Sequence, residues 1–359
     1  MRATIKALTI GLLAFSLLLG LGQAMAADIA SDDDTDNTLG ATVASNPPEI
    51  TAYDITDAAD SSLMHAQLDV NTTYYFNVTL MDPDGWGDFQ WANIRIWFDG
   101  GSAELTFDQQ SAAGANYRVD LNYTNVAPVN APALSEWSVA EGNIAYDSGS
   151  SSMFTNVVNE NYTFKLAFSL NNQIRQANDP INQAAGAYND LSSWNSEVRA
   201  KDFGNPDVIN QADSANIYHE FGVFLFTNIS IGADWDAGTI SPGSDAVTNT
   251  VTVTHQANRD YRMSVWFNTN LTSGGDEIPI AANVNITAAG DPSDDITSDL
   301  TFGGLGIGNR EFIWGTGASQ AHDTVGDSET TGVQFGVSVP FGTPSGSYVA
   351  TLTMRVETP

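Results

Sequence analysis

The chain has 359 residues, 12 basic against 43 acidic side chains, a net charge of −31 and no cysteine. Repulsion at that charge argues against nucleic acid and anionic membrane surfaces as partners, and the missing thiols exclude disulfide stapling and thiolate chemistry. Hydrophobic residues at 42% and aromatics at 10% suffice for proper cores, so the acidity does not signal disorder.

Arg2 and Lys6 precede an apolar run from Ala7 to Gly22, and Ala24-Met25-Ala26 supplies the small-x-small pattern of a signal-peptidase site. Residues 1–26 therefore read as a secretory signal peptide, with the mature chain beginning at Ala27. No later stretch is apolar for long enough to cross a bilayer as a helix. The expected location is secreted, at the cell surface or outside the cell, with no membrane span after signal removal. Residues 27–46, with Asp32, Asp33, Asp34 and Asp36, read as an acidic linker that Pro47-Pro48 ends.

Thr72–Met81 and Phe89–Phe98 alternate in β-branched and aromatic residues as half-buried strands do. Asp82-Pro83-Asp84-Gly85 between them is a turn signal. Further strands are expected at Ala103–Phe107, Tyr117–Tyr123, Glu136–Val139, Ser152–Val158 and Tyr162–Leu170. Between 171 and 194 the alternation stops, and Asp179-Pro180 followed by INQAAGAYNDL predicts one short helix in an insertion. Ser196–Lys201 and Tyr218–Ile231 return to strand text. A second block from Gly232 offers strands at Ala246–His255, Tyr261–Thr269, Ile280–Thr287, Glu311–Trp314, Gly332–Val339 and Ser347–Val356. Many short strands separated by turns predict an all-β protein of two tandem immunoglobulin-like β-sandwiches. Residues 47–231 form the first, with its insertion near 171–194, and 232–359 the second.

Three pieces carry a resemblance. Asn46-Pro47-Pro48-Glu49-Ile50 leads into YYFNVTLMDPDGWGDFQWANIRIWF, and WNSEVRAKDFGN precedes FGVFLF. This resembles the strand order of prokaryotic extracellular immunoglobulin-like domains, in which a DPDG turn joins two early strands. The closing QFGVSVPFGTPSGSYVATLTMRVE resembles the final hairpin of repeat modules in archaeal and bacterial envelope proteins. The general character is similar to that of the sheath-forming proteins of methanogenic archaea. The resemblance implies an architecture and an envelope location; sandwiches of this kind host many roles.

Asp82, Asp84 and Asp88 place three carboxylates on one glycine-containing loop, the hard oxygen ligands that calcium takes. Asp54 or Asp57 could complete the shell. The spacing is not that of an EF-hand, and a Pro-Asp-Gly hairpin turn with solvated acids explains the same residues, so both readings stand. Asp291, Asp294, Asp295 and Asp299 make a second acidic loop, read chiefly as a turn. His65, His219, His255 and His322 lack the spacing of a zinc site. No nucleophile elbow or P-loop appears, so no enzymatic activity is expected. Trp86 could serve a sugar as an exposed platform, whereas Trp97 and Trp266 read as core. Glycosylation sequons fall at Asn71, Asn77, Asn122, Asn161, Asn228, Asn270 and Asn285, with Asn122 read as a loop residue. Phe221–Phe226 is an uncharged aromatic segment that a closing strand would bury and that, exposed, would pair with other chains.

The function expected from these features is a structural subunit of a cell-surface assembly: a surface layer, sheath or extracellular filament. Its partner is further copies of itself, and cell-envelope polysaccharide is a candidate second partner. The alternative is a carbohydrate-binding or adhesion protein of the envelope.

Overall fold

The computed structural model describes residues 46–99, 105–110, 117–125, 132–156, 161–177, 192–203, 208–210, 220–287, 307–308, 310–314 and 329–358. The expected signal peptide, most of the linker, the helix after Asp179 and the run Asp291–Asp299 lie outside the described residues. Ser45–Pro359 belong to one compact unit.

In chain order the first part runs β1 (Glu49–Thr56), β2 (Gln67–Leu68), β3 (Thr73–Met81), β4 (Phe89–Phe98), β5 (Arg118–Thr124), β6 (Trp137–Glu141), β7 (Ile144–Asn156), β8 (Asn161–Leu170), β9 (Trp194–Asp202), β10 (Val208–Asn210) and β11 (Gly222–Val223). They form two antiparallel sheets, ordered β1-β3-β8-β7 and β10-β9-β4-β5-β6, with a small parallel β2–β11 pair beside them. Period-2 alternation sets the faces: in β3, Tyr74, Phe76, Val78 and Leu80 are buried and their neighbours are not. They meet Ile94 and Ile96 of β4, Leu121 of β5, and Phe164, Leu166 and Phe168 of β8 in one core. Phe76 and Phe168 stack with centroids 3.8 Å apart.

The second part contains β12 (Thr227–Ile231), β13 (Asp245–Val247), β14 (Val251–Ala257), β15 (Arg262–Phe267), β16 (Leu271–Ser273), β17 (Asp276–Ile278), α1 (Ile280–Asn283), β18 (Val284–Ile286), β19 (Glu311–Trp314), β20 (Glu329–Val333), β21 (Phe335–Ser338) and β22 (Leu352–Glu357). Two three-stranded sheets, β12-β14-β20 and β13-β21-β18, are linked by the break at which the chain passes between β13 and β14 and between β20 and β21. The break is capped by Thr248, whose N–H donates to the Phe335 carbonyl while its Oγ1 accepts the Phe335 N–H. With β19-β15-β22 these strands enclose a second, smaller core around Val253, Met263, Val265, Ile286, Val333 and Phe335. The fold is thus nearly all-β with sandwich-like sheets and two cores.

Several expected strands differ. Ile280–Thr287 opens as the one-turn helix α1 after Pro279, because Pro279 presets φ at −64° for a chain reversal and Ile280 is buried beneath it. Ala246–His255 and Gly332–Val339 each split in two at the Thr248 break. Tyr218–Ile231 is not one strand: Phe221–Val223 are buried, Phe224 and Leu225 are exposed, and β12 then starts in another sheet. Leu105–Phe107 form no strand, since the Leu105 carbonyl accepts the Trp97 Nε1–H and the chain turns at Phe107.

The two cores join through the described start of the expected insertion. Gln176 N–H donates to the Asn258 carbonyl at 2.7 Å, and Arg175 pairs with Asp260 at 3.1 Å. Asn258 is wholly buried; its Nδ2 donates to the Phe224 carbonyl and its Oδ1 accepts the Phe226 N–H. Truncating it removes two hydrogen bonds to part-buried backbone groups, each worth about 0.5–1.5 kcal/mol, and empties the buried space its side chain fills. Asn258→Ala should therefore lower unfolding stability by roughly 2–4 kcal/mol in a urea titration. A loss within about 0.5 kcal/mol, the range of ordinary surface changes, would show that this junction is not structural.

Candidate functional site

The chain leaves β3 in one sheet and enters β4 in the other, so Asp82–Asp88 is a crossing between layers and not a hairpin. Gly85 takes φ +97°, which a side-chain-bearing residue seldom adopts, and its N–H closes the turn onto the Asp82 carbonyl at 3.1 Å. Trp86 is then driven inward and is 2% exposed. It stacks on Phe89 at 4.1 Å and donates its indole N–H to Tyr123 Oη at 3.0 Å. Tyr123 in turn donates to Glu136 Oε2 at 2.7 Å, and burial raises its phenol pKa. Asn125 ties the crossing from the side, its Nδ2 donating to the carbonyls of Trp86 and Phe89 at 3.1 and 2.8 Å. Trp86 is therefore no exposed sugar platform: its apolar area and its N–H are both satisfied inside.

That inward pull takes an acid with it. Asp82 is fully buried, and its Oδ1 accepts the Asp84 N–H at 2.9 Å. Its Oδ2 has no hydrogen-bond partner among the described residues. The acids of the crossing are thus not simply solvated. Burial above all, and then the charges of Asp88, Asp202 and Asp84, push the Asp82 carboxyl up to about 6 against the backbone bond from Asp84, which lowers it. Asp202, also buried, stands at the end of β9 opposite Phe89, and the Phe203 N–H donates to the Asp88 carbonyl. Asp84 accepts both the backbone N–H and the Nδ2 of Asn46.

Asp54 and Asp57 lie elsewhere. Asp54 accepts the Ser62 hydroxyl, and Asp57 caps its own turn through the N–H groups of Ala59 and Ser61. The carboxylate that joins the loop from a second segment is Asp202, which sequence reasoning missed. Among the described residues no group of three or more His, Asp or Glu side chains is set to hold a metal ion.

Beside this crossing lies an open groove of about 370 Å³ on the outer face of the five-stranded sheet. Trp91 and Phe203 supply its aromatic surface, and Gln90, Asn93, Asn122 and Asn125 its amides. A bulge at Gln90 shifts the pairing of β4 with β9, so that Trp91, two residues after inward-facing Phe89, faces out. Asn93 donates to Asn122 across the β4–β5 pair.

The sequons are scattered. Asn71 is exposed in a turn at φ +58°, and Asn228 is exposed on β12. Asn77, on β3, donates to Thr56 Oγ1. Asn122 is in the middle of β5 and not in a loop, because the alternation that buries Leu121 and Tyr123 continues through it. Asn161 opens β8, Asn285 sits in β18, and the Oδ1 of Asn270 accepts the Ile280 N–H. Trp97 is core as expected, but Trp266 is half-buried between Arg310 and Arg355, whose guanidiniums stand 5.6 and 5.2 Å from its ring. His255 is a core residue bonded to Tyr261 and Thr331, and His219 and His322 lie outside the described residues.

No family model and no curated protein matches the chain. Among solved structures it is similar to the C-terminal domain of the Streptococcus pyogenes antigen I/II-family protein AspA, at 12% identity and a TM-score of 0.22, covering 87% of this chain and 96% of that one. The C-terminal domain of the Streptococcus agalactiae AgI/II polypeptide BspA is similar at 12% identity and a TM-score of 0.20, covering 87% and 96%. At such TM-scores the likeness carries no argument about what this chain does.

A raised carboxyl pKa has a definite sign in stability. The folded state holds the Asp82 proton up to about pH 6, whereas the unfolded chain releases it near 3.8. Stability is therefore lost as pH rises through that window. Asp82→Asn keeps an acceptor for the Asp84 N–H and removes the charge. With chelator present, the variant should melt within a degree or two of the parent near pH 4 and several degrees above it beyond pH 6. Superimposable melting profiles would show that Asp82 is not held in a dry site.

Proposed function

We propose that the protein is an exported structural subunit of a cell-surface assembly, a surface layer, sheath or extracellular filament, whose copies join through strand edges. The observation that carries this reading is β12. It hydrogen-bonds to β14 along one side and is the edge of its sheet, with Ile231 exposed at its end. Phe224 and Leu225, both more than two-fifths exposed, precede it. Phe221–Ile231 carries no charge and no proline, the devices that normally keep edges apart. An open edge of this kind accepts a strand from a second chain.

Charge shapes the assembly. Two copies at −31 repel one another at long range, so contact through an uncharged segment is favoured and screening strengthens it. Calcium is a counter-ion that would serve in this role. The expected export signal and the net charge of −31 support a location outside the cell. The absence of catalytic motifs fits a structural role.

Electron microscopy and light scattering of the mature chain from Ala27 should show an ordered polymer that grows as salt rises and in the presence of calcium. Leu225→Lys combined with Ile231→Lys should reduce it to monomer with little change in melting temperature, since both side chains are exposed. Protein that stays monomeric at high concentration in high salt with calcium, or a polymer indifferent to the two lysines, would contradict assembly through this edge.

A further inference from the structure

The groove beside the crossing has a composition unlike the rest of the molecule. The chain carries 43 acidic residues, yet every side chain lining this groove is uncharged. Its volume falls in the range of small-molecule sites, about 300–1,000 Å³. Phe203 is 58% exposed and Trp91 partly exposed, on a sheet whose other described tryptophans are buried. Around them stand four primary amides, groups that both donate and accept.

One of those amides is incomplete. Asn125 is 6% exposed, and both of its N–H donors are spent on the Trp86 and Phe89 carbonyls. Its Oδ1 has no hydrogen-bond partner among the described residues. A buried acceptor without a donor is costly, about 1–3 kcal/mol, and it lies within a residue that lines the groove.

We propose that this groove binds a neutral saccharide chain. A sugar ring presents C–H groups on its faces and hydroxyls on its rim. The faces pack on the electron-rich faces of Trp91 and Phe203. The rim hydroxyls, each donor and acceptor, meet the amides of Gln90, Asn93 and Asn122. The lining itself offers no counter-charge to a charged sugar, and a polyanion meets the repulsion of a chain at −31. This inference is independent of assembly through β12, which lies in the other part of the chain.

The test is affinity electrophoresis of the full-length chain, made without glycosylation, in gels containing a soluble β-1,3-glucan, a xyloglucan, a mannan, a galactan or the acidic polymer alginate. At least one neutral polymer should retard the protein, and alginate should not. Trp91→Ala and Phe203→Ala should each weaken retardation at least tenfold while leaving the melting temperature nearly unchanged. Trp266→Ala, which removes a half-exposed indole outside the groove, should not weaken it. Failure of every neutral polymer, or retardation that survives Trp91→Ala, overturns the proposal. So does mass spectrometry of native protein showing a glycan on Asn122, since the chain's own modification would then fill the groove.

Discussion

Burial of the Trp86 indole is the interaction on which the described features of the first sandwich depend. A chain that crosses from one sheet to the other must turn within a few residues, and such a turn would ordinarily float in solvent. Here Gly85 reverses the backbone, Trp86 drops between the layers, and its N–H is met by Tyr123, itself held by Glu136. Removing a buried tryptophan costs about 3–5 kcal/mol even where the site can relax. This one also forms a contact face for Phe89, Tyr123 and Tyr162. The Asn125 clamp on the Trp86 and Phe89 carbonyls fixes the second half of the crossing where it enters β4.

Two consequences follow from one rigid crossing. On its acidic side, Asp82 is carried into a site shared with Asp202, where a carboxylate cannot be well solvated and the remaining acids disfavour its charge. On its other side, the same Asn125 that clamps the loop lines the groove, and its oxygen has no hydrogen-bond partner among the described residues. Local dissatisfaction of this kind is tolerated only where the surrounding fold over-determines it, and such places are where binding is sought. The acidic pocket and the uncharged groove thus share one support.

The class of fold was legible because β3, β4 and β8 alternate so cleanly that period 2 alone assigns their faces. What the sequence concealed is non-local. Nothing in the text around Asp82 points to Asp202, which β9 brings back from far along the chain. Trp86 looked like a loop residue because its neighbours are glycine and aspartate, and only the layers above and below it make it core. Trp91 was within reach: Ala92, Ile94 and Ile96 fix the inward phase of β4 and so send Trp91 and Asn93 outward. The bulge at Gln90 hid this by putting inward Phe89 on the same parity as Trp91. In the second part, Pro279 and the Thr248 break cut expected strands short, because turn chemistry and a change of sheet override β-propensity.

The central claim is that the crossing is closed over Trp86 and does not display it. Hydrogen exchange of the tryptophan indole N–H groups, read by NMR with the Trp86 signal assigned from a Trp86→Phe variant, tests this directly. The Trp86 indole N–H should exchange slowly, protected by a factor on the order of 10³ or more over a free indole, as for groups released only by extensive opening. Exchange at the rate of a solvent-exposed indole would mean that the loop is open. Neither the dry site of Asp82 nor the fixed floor of the groove could then stand.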